Sequence, residues 1–424
     1  MIKELTIKNC LSFKDEVTFS FEASADKTLE DYYVVEQADG TRLLKMCMIY
    51  GANASGKSNL IAVFDFINDF TNTIKEDKNS KTSFIPFMFA DSRNDRGEFE
   101  LIFYANNIKH KYQLIIDNSK VYKENLYYYP GRQPATIFER KYDVNKNISV
   151  VDFGNSIDIS NQAIEAIQLK TLRNTSIIAA YKQVNLSIPK LDVVTNWLET
   201  QFLKSINPYT DLTSYSDEAI KNSDDVKVHA LEFLKKADFN ITDVSFEDNI
   251  QKISDFMLKT IASSKLPEEA KNKILKDKCI HYDETLFTHK VLDNDVEKYF
   301  SLSEKLQSQG TLRYYGLSAP FYNTIKNNAF LLIDEIGSAL HPLLVIHFLK
   351  EFLTKSDKAQ LLFTTHNMSL LNEKDILRKD SIWFTEKLEN ASTDLFSLAD
   401  FNFRKELSFF NAYKIGKFGG IPDL

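Results

Sequence analysis

Residues 51–58 of this 424-residue chain read Gly-Ala-Asn-Ala-Ser-Gly-Lys-Ser and meet the spacing G-x-x-x-x-G-K-[ST] at every fixed position. No other stretch limits the fold so tightly. An apolar run (Met46, Met48, Ile49, Tyr50) leads into it, and apolar residues at helical spacing follow (Leu60, Ile61, Val63, Phe64, Ile67). A glycine-containing turn between a buried strand and a helix N-terminus aims successive backbone N–H groups at one point, where they hold a phosphate. The pattern predicts that Gly51, Ala52, Asn53, Ala54, Ser55, Gly56, Lys57, Ser58 and Asn59 wrap ATP or a similar triphosphate. Lys57 then reaches the β- and γ-phosphates, and the Ser58 hydroxyl ligates Mg²⁺.

The C-terminal third supplies partners for such a loop. Ala329–Ile333 is a short apolar run that ends in Asp334-Glu335, as a buried parallel strand would. Asp334 is placed to orient a Mg²⁺ shell, and Glu335 to polarise an attacking water as general base. A second apolar strand, Gln360–Thr365, ends at His366, where an imidazole can contact the γ-phosphate or orient water. Upstream, Leu306-Gln307-Ser308-Gln309-Gly310-Thr311 opens a helix with a small Ser-x-Gly. Its N–H groups suit a phosphate, although Ser308 equally suits a plain helix cap.

Between these halves the pattern changes twice. Residues 1–22 read as two strands, and Phe84 to Val151 as an antiparallel meander with period two. From 155 to 300 amphipathic helices are expected (Ala163–Leu172, Val193–Leu203, Val226–Lys236, Ile253–Ser264), with a returning strand at His281–Lys290. No sustained heptad array supports a coiled-coil arm. The expected fold class is α/β, in three parts: 1–154 with the P-loop and an antiparallel β-lobe, 155–300 as a helical insertion, and 301–424 as the second half of the head. Three scattered cysteines (Cys10, Cys47, Cys279) exclude a disulfide framework or zinc site and fit a reducing cytoplasm. A net charge of -7 excludes a strongly basic nucleic-acid coat, and no apolar run is long enough for a membrane span.

Taken in order, GANASGKS, LQSQGT, LLIDE, SALH and TTH resemble the ATPases of the ABC/SMC type. The resemblance implies that Ser308 and Gly310 of one copy cap the ATP held by another copy's P-loop. Glu335 is then the catalytic base, His366 the switch histidine, and Ser338–His341 the loop crossing the dimer interface. Two positions depart from that pattern. His341 stands where transporter-type members carry Asp, and the Phe84–Asp91 segment, in the Q-loop region, holds no Gln.

More narrowly, Asn9–Lys14, IYGANASGKSN, the tyrosine-rich 99–140 meander and the tail Tyr413–Pro422 resemble bacterial AAA-type ATP-binding proteins of abortive-infection and OLD-like (overcoming lysogenisation defect) systems. That likeness implies a homodimer or higher homo-oligomer that controls a separate effector such as a TOPRIM-type nuclease. A phage protein is the implied trigger, and DNA a further candidate partner. Only about 40 residues follow the last predicted strand, too few for a TOPRIM domain. An SMC- or RecF-like DNA-maintenance ATPase is the alternative, and a transporter subunit a distant third. In the tail, Arg404, Lys405, Lys414 and Lys417 alternate with Phe409, Phe410, Tyr413 and Phe418. Docking of these aromatics onto the head is the expectation, ahead of nucleic-acid stacking.

Overall fold

Every residue of Met46–Gly51 is buried, and so is every residue of Phe330–Ile333 and Gln360–Thr364. Unbroken burial of this kind belongs to a parallel sheet covered on both faces. A computed structural model describes residues 1–89, 95–143, 145–146, 148–237, 239–264, 268–401 and 408–421. Arg404, Lys405 and Pro422 lie outside the described residues, as do the last positions of the Phe84–Asp91 segment. The chain divides into two units, Met1–Thr210 with Asn323–Leu424, and Asp211–Tyr322.

Among the described residues the first unit holds two large sheets and a small antiparallel pair, Val34–Glu36 with Arg42–Leu44. The five-stranded sheet runs Phe330–Ile333, Gln360–Thr364, Met46–Gly51, Ile382–Lys387, Thr393–Ser397. Its first four strands are parallel and the last is antiparallel. The register sets Thr364 beside Ile49 and Thr385 beside Gly51, so the P-loop leaves the carboxyl edge between two neighbours. The seven-stranded antiparallel sheet runs Ile148–Phe153, Ala135–Asp143, Val121–Tyr129, Ile108–Ile116, Gly97–Ala105, Ile2–Lys8, Val17–Ser20. Along Ile108–Ile116 the inward residues alternate (His110, Tyr112, Leu114, Ile116), as a half-buried strand requires.

The Lys57–Asn72 helix lies between the sheets. Phe64 meets Phe19 of the seven-stranded sheet at 6.2 Å and Phe330 of the five-stranded sheet at 5.2 Å. Inside the β-lobe a fully buried pair, Arg140 and Glu124, sits at 3.1 Å. Arg140 also donates to the carbonyls of Leu172 and Thr175, and Glu124 accepts from the Tyr112 hydroxyl and the Ile177 N–H. Desolvating two charges is costly, and these added bonds offset it. They fasten the 172–181 segment to the lobe.

The expected insertion at 155–300 is corrected on two counts. Residues 155–210 belong to the first unit. There Phe202 and Ile206 form parallel bridges to Phe330 and Ile333, so 201–206 covers the edge of the five-stranded sheet. The second unit is not purely helical. It carries helices Leu212–Asn222, Asp224–Lys236, Asp255–Ala262 and Glu268–Asp277, with an antiparallel sheet ordered Ile241–Lys252, Cys279–Asp293, Val296–Ser303. A register shift between Ile241 and Asp243 breaks the two-residue period where the first of these strands begins. The last two join at Asn294-Asp295, both with positive φ, a two-residue hairpin turn. Among the described residues no helix is long and apolar enough to cross a membrane.

Candidate functional site

The P-loop is braced from beneath by hydroxyls. Ser55 Oγ shares a 2.6 Å bond with Thr385 Oγ1, and Thr393 Oγ1 donates to the Ser55 carbonyl at 2.8 Å. Thr393 N–H bonds the Ser12 carbonyl at 2.8 Å, which ties the Asn9–Lys14 turn to the same place. The loop glycines are fixed by close approach: a Cβ on Gly51 would clash with Thr385 and Ser55, and one on Gly56 with Thr393. Ala54, at φ 60, adopts a left-handed conformation costly for a residue with a side chain.

Lys57 begins the helix and turns its ammonium back into the loop, donating to the carbonyls of Gly51 and Ala52, both at 2.9 Å. Burial pushes its pKa down, while the negative Asp334 and Glu335 pull it back up. Ser58, Asn53 and Ala54 are exposed on the loop's outer side.

Asp334 and Glu335 follow the Phe330–Ile333 strand at the same sheet edge. Asp334 N–H donates to the Ile206 carbonyl at 2.7 Å. One hydroxyl bonds both residues: Thr364 Oγ1 donates to the Asp334 carboxylate at Oδ1, 2.6 Å away, and accepts from the Glu335 backbone N–H at 2.8 Å. Glu335 sits at φ 51, a strained position for a non-glycine residue. It lines a cleft of about 220 Å³ with Gly337, Ser338, Thr365, His366 and Asn367. Burial and the Lys57 charge lower the His366 pKa against the opposing pull of Glu335 and Asp334, so the imidazole is neutral near pH 7.

The structure thus brings Lys57, Asp334, Glu335 and His366 to one edge of one sheet, the carboxyl edge where open α/β sheets bind ligands. Ser308 and Gly310 belong to the second unit. Ser308 Oγ accepts the Thr311 N–H at 3.0 Å and caps the Gln309–Lys326 helix, and it is exposed. His341 also caps: its Nδ1 accepts the Leu343 N–H at 3.2 Å at the start of Pro342–Lys355. An N-terminal cap needs an acceptor, which either Asp or neutral His supplies.

Sequence reasoning does not single out Thr364, although it stands two residues before His366, nor Thr385, Thr393 and Ile206. Asp334 and the exposed Ser58 each carry a hard oxygen donor of the kind that takes Mg²⁺ jointly with substrate phosphates. Among the described residues, no three His, Cys, Asp or Glu side chains gather as a separate metal cage.

A P-loop strand flanked by a Thr-Thr-His strand, then by a strand ending in Asp-Glu, is the arrangement of a P-loop nucleotide-binding domain. Residues 46–372 match the family model described as "AAA domain, putative AbiEii toxin, Type IV TA system", and the chain belongs to that family. Two solved structures are similar at low identity. The SMC head domain from Thermotoga maritima is 13% identical, covers 93% of this chain and 98% of its own, and has a TM-score of 0.42. An SMC head bound to the C-terminal winged-helix domain of ScpA is 12% identical, covers 97% and 99%, and has a TM-score of 0.44. No curated protein sequence matches the chain.

Proposed function

We propose that this protein is an ATP-binding and ATP-hydrolysing switch subunit of a bacterial anti-phage defence system, acting through ATP-sandwiched copies of itself on a separately encoded effector. The observation that carries the ATPase reading is the shared Thr364 hydroxyl, which fixes Asp334 and Glu335 on the sheet edge that also carries Lys57 and His366. The defence reading draws support from the family description, which names an abortive-infection toxin and a toxin–antitoxin system.

In this mechanism the P-loop N–H groups and the Lys57 ammonium hold the β- and γ-phosphates. Bound Mg²⁺, ligated by Ser58 and Asp334, would neutralise charge on those phosphates. Glu335 takes the proton of the attacking water, and its exposed position on the cleft leaves that water room. His366, neutral near pH 7, can donate from one ring nitrogen while accepting at the other. Ser308 and Gly310 act on a second copy's nucleotide, and the exposure of Ser308 is compatible with that contact. The effector is expected to be a nuclease.

Light scattering on wild type and Glu335→Gln, with and without ATP–Mg²⁺, tests the reading. A larger species formed by the variant only with ATP is the expected result, and masses indifferent to nucleotide in both proteins overturn the sandwich. The alternative, a DNA-maintenance ATPase, predicts hydrolysis stimulated by DNA. Surface lysines of the β-lobe are partly engaged already, Lys8 with Glu98 and Lys111 with Glu100, which weighs against it.

A further inference from the structure

The C-terminal segment reaches the P-loop from below. Its helix, Phe409–Lys414, is capped by Ser408 and leads into a turn through Gly416, Gly419 and Gly420, all left-handed. Tyr413 stacks on Phe384 at 5.3 Å and meets Tyr50, the residue before the first P-loop glycine, at 5.5 Å. Phe418 lies 5.8 Å from Phe384 and 5.4 Å from Phe401. The docking expected for these aromatics is therefore observed.

Packing alone does not account for where the polar atoms go. The Tyr413 hydroxyl donates to the Gly420 carbonyl at 2.9 Å, and the Gly51 backbone N–H approaches the same hydroxyl. A Cβ on Gly420 would stand in ordinary contact with the Thr385 carbonyl at 3.4 Å and Gly51 Cα at 3.6 Å, so this turn lies directly against the loop, and its φ of 65 is what favours glycine. Gly51 in turn offers its carbonyl to the Lys57 ammonium. The same helix packs on the Met368–Asn372 turn just after His366, and the Tyr50 hydroxyl donates to the Asn367 carbonyl at 3.1 Å.

We propose that residues 408–421 are a positioning element of the ATP site, in which Tyr413 and Gly420 fix the Gly51 peptide and Gly51 sets the place of Lys57. The assignment rests on the ATPase reading above. Tyr413 acts through Gly51 and touches no reacting atom. Its effect must therefore pass through Lys57, which serves the β- and γ-phosphates, and weigh more on ATP than on ADP, which lacks the second of them.

The test uses the full chain in a Glu335→Gln background, so that nucleotide is not consumed. Tyr413→Phe keeps the ring stack and removes only the hydroxyl, and Gly420→Ala strains the left-handed turn whose carbonyl receives that hydroxyl. Each is titrated with ATP–Mg²⁺ and ADP–Mg²⁺ and melted without nucleotide. Tyr413→Phe is expected to weaken ATP about 5-fold, the size of one hydrogen bond, with ADP affinity and melting temperature little changed. Gly420→Ala should act in the same sense. Combining Tyr413→Phe with Lys57→Ala should add nothing to the loss from Lys57→Ala alone. Unchanged ATP affinity in Tyr413→Phe overturns the assignment, as does an equal loss for ATP and ADP accompanied by a lower melting temperature. A parent that binds no ATP overturns the ATPase reading and this assignment with it.

Discussion

The Met46–Gly51 strand and the Val296–Ser303 strand are similar in length and opposite in surroundings. The first is buried at every residue, and the second is exposed at all but its last. Where a strand is covered on both faces, its sequence must be apolar throughout and its neighbours are fixed by packing. Where it is open, charged pairs such as Lys290–Glu297 and Lys298–Asp293 supply much of its cross-strand contact, and such pairs contribute little. The candidate site is built on the first kind of strand, and Ser308 follows the second.

Phenylalanines probe this contrast most directly. Phe64→Ala in the P-loop helix removes a ring wedged between two sheets and should cost about 3–5 kcal/mol in urea unfolding. Phe300→Ala, on the exposed strand, should stay within about 0.5 kcal/mol. Equal losses would erase the distinction.

Acid should act on the same side of the divide. His110 stacks on Phe103 at 5.3 Å inside the β-lobe, and burial pushes its pKa down to about 4 from 6.5. Between those values the unfolded chain holds a proton that the folded chain does not, so stability falls as pH falls. The full effect is about 3 kcal/mol. It is absent above pH 6.5 and complete below about 4. Denaturation curves of His110→Gln should lose that slope.

At the site itself, Thr364→Val keeps the strand's shape but frees the Asp334 carboxylate and leaves the Glu335 N–H without its acceptor. By analogy with the outer shell of metal ligands, turnover should drop about 10–100-fold with ATP affinity nearly kept. A fall in affinity without a fall in turnover would mean that Thr364 orders the binding site rather than the acids. The smallest effect belongs to the second unit. Ser308→Ala removes a helix cap and should cost about 1 kcal/mol of stability. It should also abolish the ATP-driven rise in mass while leaving ATP binding intact.

Legibility in the sequence followed the same division. The P-loop, the three buried parallel strands and the antiparallel meander could be read because continuous burial and strict alternation leave plain patterns. Ile241–Lys252 could not, because its register shift interrupts the period and the acidic residues beyond it look like a loop. Asp334, Glu335 and His366 were visible at the ends of apolar runs. Thr364 was not, since a threonine inside a strand is ordinary and only the fold turns its hydroxyl toward two acids. Tyr413 was legible as an aromatic that would dock. Its reach to Gly51 was not, because nothing in the spacing of two segments so far apart records it.

The short stretch 201–206 decides how this protein can be cut. It borders the Phe330–Ile333 strand and supplies the carbonyl that receives the Asp334 N–H. A deletion spanning 155–300 would bare that strand's edge to any other strand in solution, an invitation to aggregation, and would leave the Asp334 N–H without its partner. A deletion confined to 211–322 leaves the seam closed. The boundary that matters for engineering lies at Thr210, where the chain has finished securing the sheet and is free to depart.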